Sequence, residues 1–208
     1  MKTVLETYKF DVICMQDYFT FRSTFTEADL AGWNNCQAYI AANYKGGNPL
    51  KFVTLMPAPV RDNWTSQTHP TTAEVYAATV TAMRLIMKNT VAEAVIPCGY
   101  GIYKAMSTSL DELGDMGHLS HDGLHAQEGI PCLLQAYIVT LWILKELALP
   151  KSIYASPIRI TTAIFDSLNV PGSNVGTGVI TGTDAQNLLA QEMAIRSHKE
   201  VEWWDFTA

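Results

Sequence analysis

Short apolar runs alternate along this chain with stretches whose apolar residues recur at helical spacing. Val12-Ile13-Cys14-Met15, between Asp11 and the polar pair Gln16-Asp17, is a continuous apolar run of the kind that fits a strand buried on both faces. Phe52 to Met56, stopped by Pro57 and Pro59, is a second such run, and Val91 to Ile96, ended by Pro97-Cys98-Gly99, is a third. Between the second and third, Ala73 to Lys88 places Val75, Ala78, Ala82, Leu85 and Ile86 on one helical face, with Thr71, Thr72 and Glu74 as a helix start. That pattern predicts a strand-helix-strand crossover. Ala28 to Tyr44 predicts a helix between the first two runs. Cys132 to Leu147 predicts a long helix after the third, apolar nearly all round and therefore largely buried. Strands alternating with helices predict an α/β protein with a three-layer, mostly parallel sheet. In such sheets binding sites form at the carboxyl ends of the strands.

The last quarter differs. Ile158 to Ile164 fits a short strand or extended arm, residues 171 to 178 form a loop by their turn residues, and Thr183 to His198 fits an amphipathic helix with Thr183-Asp184 at its start. Trp203, Trp204 and Phe206 need a surface to dock on, because three large aromatics are costly to leave in water. No fixed-period repeat and no low-complexity segment occurs. The expected organisation is one domain over residues 1–208, with 150–208 as a C-terminal arm and helix packing on it.

Composition narrows the partners. At 208 residues, 48% apolar and 16% charged, the chain can fill a core and is not a disordered protein. Its 14 Lys and Arg against 20 Asp and Glu give a net charge of -6 with no basic run, which excludes the electrostatic footprint of nucleic-acid binding. The N-terminus, charged at Lys2, Glu6 and Lys9, lacks the apolar block of a signal peptide, and no compartment is assigned. Ile130 to Leu149 is interrupted by Pro131, Gln135, Lys145 and Glu146, so no membrane span is expected. Cys14, Cys36, Cys98 and Cys132 are widely spaced with no Cys-x-x-Cys pair and carry no compartment signal.

Reactive side chains concentrate in Gly117-His118-Leu119-Ser120-His121-Asp122-Gly123-Leu124-His125, which holds three of the five histidines. Asp122 and His125, three apart, suit a turn in which a carboxylate accepts from one imidazole nitrogen and leaves the other facing a nucleophile. Two other readings stand beside this one. Asp122 caps the next helix among solvated histidines, or His118, His121, Asp122 and His125 bind a metal, although the spacing matches no standard zinc signature. The expected cofactor is none. Substrate-binding candidates lie at the ends of the apolar runs: Gln16, Asn63 and Trp64, and Gly99 and Tyr100. Trp64 suits stacking on a sugar face or ordinary packing, and Gly99-Tyr100-Gly101 suits a backbone approach to ligand or a plain turn. Asn63-Trp64-Thr65 has the form of a glycosylation acceptor.

Asp122-Gly123-Leu124-His125, followed by Gly129 and a helix carrying Tyr137 and Trp142, resembles the last block of the SGNH (GDSL-like) hydrolases, where the Asp and His of a triad share a D-x-x-H turn. Asp11 to Gln16 resembles the third-strand segment of a bacterial subgroup, and Val95 to Ile102 resembles its v-I-P-x-G-x-A-I segment. Thr183 to Ser197, with Asn187, Leu188, Ala190 and Ala194, resembles its C-terminal helix. The resemblance implies the flavodoxin-like SGNH fold, with Asp122 and His125 as the catalytic pair of an esterase. This chain departs from the family in having no G-D-S or G-N-S turn for the nucleophile, no G-x-S-x-G elbow, and Gln16-Asp17-Tyr18-Phe19 where the family has G-x-N-D.

The departures imply that the family's first strands and its serine are absent. A sheet that starts at its third strand leaves backbone donors and acceptors open along Asp11 to Gln16. The expected partner is a second polypeptide, or a second copy, that completes the sheet. Three functional expectations follow. The chain is the Asp-His portion of an ester hydrolase, acting on O-acyl (acetyl) esters of carbohydrate with a serine from another polypeptide. Alternatively, it is an inactive SGNH-like domain with a structural or carbohydrate-binding role in a larger assembly, or a fragment of an ordinary hydrolase.

Overall fold

The computed structural model describes residues 1–16, 25–47, 50–58, 71–108, 130–146 and 184–199. Along the chain these form α1 (Lys2–Thr7), β1 (Val12–Met15), α2 (Glu27–Asn43), β2 (Lys51–Leu55), α3 (Thr72–Asn89), β3 (Ala92–Ile96), α4 (Cys98–Ala105), α5 (Ile130–Glu146) and α6 (Asp184–Lys199). The chain is a mixed α/β protein, and these elements fit part of a flavodoxin-like layout. It divides into two compact units, one built on Met1–Pro97 and the other on Cys98–Val201.

The first unit carries a parallel sheet in the order β1-β2-β3. Val12 to Met15 pair with Lys51 to Thr54, and Phe52 to Leu55 pair with Ala92 to Ile96. The register slips once. Phe52 opposes Ala92 while Val53 opposes Ala94, so Glu93 is an extra residue, exposed at a bulge. Strand order equal to chain order, with the right-handed crossovers that parallel strands require, puts α2 and α3 on the same face of the sheet. The Asn34 side-chain amide accordingly donates to the Asn89 carbonyl at 3.3 Å, joining the two helices.

β2 is the most buried strand, with Val53 and Thr54 fully inaccessible. The Thr54 hydroxyl lies 3.8 Å from the Met83 sulfur of α3, which places that side of β2 under the helices. Both long helices of this unit start with reciprocal caps. Thr26 accepts from the Asp29 N–H and Asp29 accepts from the Thr26 N–H; Thr71 and Glu74 do the same for α3. Such a box holds two otherwise orphaned donors and is worth on the order of 1 kcal/mol.

The N-terminal residues, for which no element was predicted, form α1. Its Leu5 is buried against Ile40 of α2 and Phe52 of β2, with Phe10, Ile13, Met15, Cys36 and Leu50 around them. The lead-in to β1 is clamped by one phenol: Tyr44 Oη accepts from the Phe10 N–H at 3.0 Å and donates to the Phe10 carbonyl at 2.8 Å.

The second unit packs α4, α5 and α6 together. Ala105, Leu134, Ile138, Ala190 and Ala194 are inaccessible. A side chain on Gly101 of α4 would run into Ile138 Cδ1 and come within 2.8 Å of Ser197 Oγ, so the helices meet there by virtue of a missing Cβ. Polar ties cross the same packing: the Gln191 amide donates to the Tyr137 hydroxyl at 3.2 Å, and His198 Nε2 lies 2.8 Å from the Ile138 carbonyl oxygen. Helix α5, expected to be largely buried, turns one side outward. It buries Leu133, Leu134, Tyr137, Ile138, Leu141, Trp142 and Leu144 but leaves Cys132, Ala136, Thr140 and Ile143 open, the last 42% exposed. The open positions recur at three- and four-residue spacing, so the helix buries one broad face rather than its circumference.

No helix among the described residues is long and apolar enough to cross a membrane. The segments 158–164 and 171–178, Thr183 and the aromatic tail of Trp203, Trp204 and Phe206 lie outside the described residues.

Candidate functional site

Three parallel strands end together at one edge, and the register fixes what stands there. Met15 pairs with Thr54, so Gln16 follows at the level of Leu55, which itself pairs with Ile96. Pairing runs one residue further through the Met56 N–H, which donates to the Ile96 carbonyl at 3.0 Å. Gln16 is exposed on this carboxyl edge, while Met56 and Pro57 are buried behind it. Asn63 and Trp64 lie outside the described residues.

Gly99 and Tyr100 are in a different setting from the turn or backbone approach read from their glycines. The chain enters α4 directly after Pro97, a residue well suited to the start of a helix, and both residues are buried. The Tyr100 side chain is 1% exposed, with the Lys104 ammonium one turn on, 5.5 Å from the ring centre in a cation-π contact. Cys98, at the first position of the helix, is buried with its sulfur 3.9 Å from the Gln135 carbonyl. Sequence reasoning did not find this helix, although Cys98, Ile102 and Ala105, all buried, sit at helical spacing.

Asp122 and His125, with Ser120, His118 and His121, lie outside the described residues. The one described histidine, His198, hydrogen-bonds through Nε2 to a main-chain carbonyl, which fixes the proton on that nitrogen. Among the described residues no group of three or more His, Cys, Asp or Glu side chains could hold a metal ion. All four cysteines are unbridged: Cys98 is buried, Cys36 half-buried, and Cys14 and Cys132 exposed. The protein around the Cys14 sulfur strips away enough water to raise its thiol pKa above the ordinary value.

Sequence reasoning also could not see which way the β1 backbone faces. In a parallel pair the N–H and C=O of one residue point to the same side, and successive residues alternate. The Lys51 N–H donates to the Asp11 carbonyl at 3.2 Å, so Asp11, Ile13 and Met15 turn toward β2. Val12, Cys14 and Gln16 therefore turn their main-chain groups outward. Among the described residues no strand pairs with that side.

A DUF4886 family protein from Bacteroides uniformis ATCC 8492, known from a crystal structure, is similar to this chain with a TM-score of 0.67 and 16% sequence identity. The match covers 98% of this chain and 67% of that one. At this identity the likeness concerns the fold. No family model matches the chain, and no curated protein matches it.

Proposed function

We propose that the chain is the Asp-His portion of an SGNH-like ester hydrolase acting on O-acyl esters of carbohydrate, acetyl esters first among them. The observation that carries this reading is the all-parallel sheet whose strands end at one edge bearing Gln16, the kind of edge where α/β proteins build their sites. The Asp122-Gly123-Leu124-His125 block supplies residue types that suit acyl transfer. In the proposed reaction His125 takes the proton of a serine hydroxyl as that oxygen attacks the ester carbonyl, then gives it to the leaving alcohol. Asp122 holds the imidazole in the required tautomer. Water then attacks the acyl-serine, with His125 again as base, and releases the acid.

The serine comes from another polypeptide, since none of this chain's serines stands in a G-D-S or G-N-S turn. Gln16, Asn63 and Trp64 are the proposed substrate contacts. The test is hydrolysis of p-nitrophenyl acetate and of acetylated xylan. It is run with the purified chain and with the chain mixed with a polypeptide carrying a strand followed by Gly-Asp-Ser or Gly-Asn-Ser. The chain alone should be inactive and the mixture active, with His125→Ala lowering the mixture's rate by at least about a thousandfold. Activity of the chain alone that survives His125→Ala would refute the reading. Binding of xylan by an inactive mixture would instead identify a carbohydrate-binding domain.

A further inference from the structure

The outward side of β1 has a property that selects its own partner. Val12, Cys14 and Gln16 present three N–H and three C=O groups in a row, and the segment from Val12 to Gln16 contains no charge, no proline and no bulge. Those are the devices by which edge strands avoid meeting other strands. In an antiparallel pair, two residues exchange hydrogen bonds only if both turn their backbone groups toward each other. For two copies of this strand, one register brings all three outward residues into such pairs: Val12 opposite Gln16, Cys14 opposite Cys14, and Gln16 opposite Val12. Ile13 and Met15 then face each other between the bonded pairs, apolar against apolar.

We infer that two copies of the isolated chain join through β1 in this register, with Cys14 on the two-fold axis and the two three-stranded sheets continued into one. The contact is isologous and closes on itself, so it ends at a dimer rather than a filament. It satisfies every outward main-chain group of Val12, Cys14 and Gln16 without altering the β1–β2 ladder, which uses the other set of residues. This inference rests on the strand's geometry. It touches the proposed esterase at one point, because a serine-bearing strand laid along β1 would have to displace the second copy.

The test uses the full chain alone, so its result is independent of any esterase activity. Sedimentation velocity over a roughly hundredfold dilution series should show a reversible monomer–dimer equilibrium. A short bismaleimide should link two copies through Cys14, and Cys14→Ser should remove the link while leaving the dimer. Cys14→Pro removes an outward N–H and leaves the inward ladder its donors, so it should give a folded monomer whose thermal midpoint no longer rises with protein concentration as the parent's does. Cys14→Lys sets two ammonium groups against each other on the axis and should also give a monomer. Two results would overturn the inference: a parent chain that stays monomeric throughout the series, or a Cys14→Pro variant that remains folded and dimerises as the parent does. A Cys14→Lys dimer as tight as the parent's would overturn the register.

Discussion

The same substitution should have opposite effects at two helical glycines, and the comparison isolates one packing contact. Gly32 in α2 is exposed, with nothing within 4 Å of the position its Cβ would take. Gly101 in α4 is buried, and its Cβ would overlap Ile138 Cδ1 and approach Ser197 Oγ at 2.8 Å. Replacing glycine by alanine inside a helix gains about 0.8–1 kcal/mol from backbone entropy at either site. At Gly101 the added methyl must also push Ile138 out of a rotamer held on all sides, an overpacking cost of about 1–3 kcal/mol. Gly32→Ala should therefore stabilise the protein. Gly101→Ala should lie lower by the overpacking cost alone, since the entropy gain is common to both. At about 2–4 °C per kcal/mol for a chain of this size, thermal unfolding followed by circular dichroism resolves the difference. Ile138→Val removes the colliding atom, so it should cost less in the Gly101→Ala background than in the parent. Equal midpoints for the two alanine variants, or no relief from Ile138→Val, would show that α4, α5 and α6 do not meet at Gly101.

Three further outcomes are expected. Tyr44→Phe removes both hydrogen bonds to Phe10 and should lower stability by about 1–2 kcal/mol in urea titration, with the loss appearing as faster exchange of the Phe10 amide. Thr71→Ala breaks the α3 capping box and should cost about 1 kcal/mol, whereas Thr71→Asp should retain most of it, both read from the same titrations. Cys14 has a raised thiol pKa, so its alkylation by iodoacetamide should take off at higher pH than that of a small thiol, and unfolding in urea should abolish the difference. The sign for stability follows: the folded state holds the thiol proton more tightly, so this contribution is complete below the ordinary thiol range and is lost as pH rises through the folded value.

The strands were readable because each is marked by a short, mostly apolar run bounded by polar or proline residues. Val12 to Met15 coincides with β1, and α3 was readable from Thr71 and Glu74 because the cap chemistry is written in side chains. What escaped depends on tertiary contact. α1 is six residues long with no side-chain cap, and Leu5 gains its place only against Ile40 and Phe52. α4 contains two glycines that disfavour a helix by propensity, and it forms where the lack of a Cβ at Gly101 admits Ile138. The bulge at Glu93 has no sequence mark at all. Of the candidate site, Gln16 was readable as the residue past a strand; Asp122 and His125 lie outside the described residues. Burial in a helix at Gly99 and Tyr100 was not readable, because Gly-Tyr-Gly after a proline is also what a turn looks like.

Among the described residues, the polar ties that lead into the strands of the first unit fall at the amino end of its sheet. Tyr44 clamps Phe10 ahead of β1; the Lys45 N–H donates to the Leu5 carbonyl at 3.2 Å ahead of β2; and Gln37 accepts from the Val91 N–H at 3.3 Å ahead of β3. Each holds the chain just before it enters a strand. The carboxyl end is built otherwise: Gln16 stands exposed, β2 runs out into Pro57, and β3 into Pro97. An α/β sheet that binds at the carboxyl ends of its strands has reason for this division, since the groups that meet a ligand must be left free of internal partners while the opposite end carries the stabilising contacts. Substitutions at Tyr44 and Gln37 should therefore shift the unfolding midpoint and leave any ligand affinity unchanged. Gln16→Ala should do the reverse, because its side chain is exposed and holds no element in place.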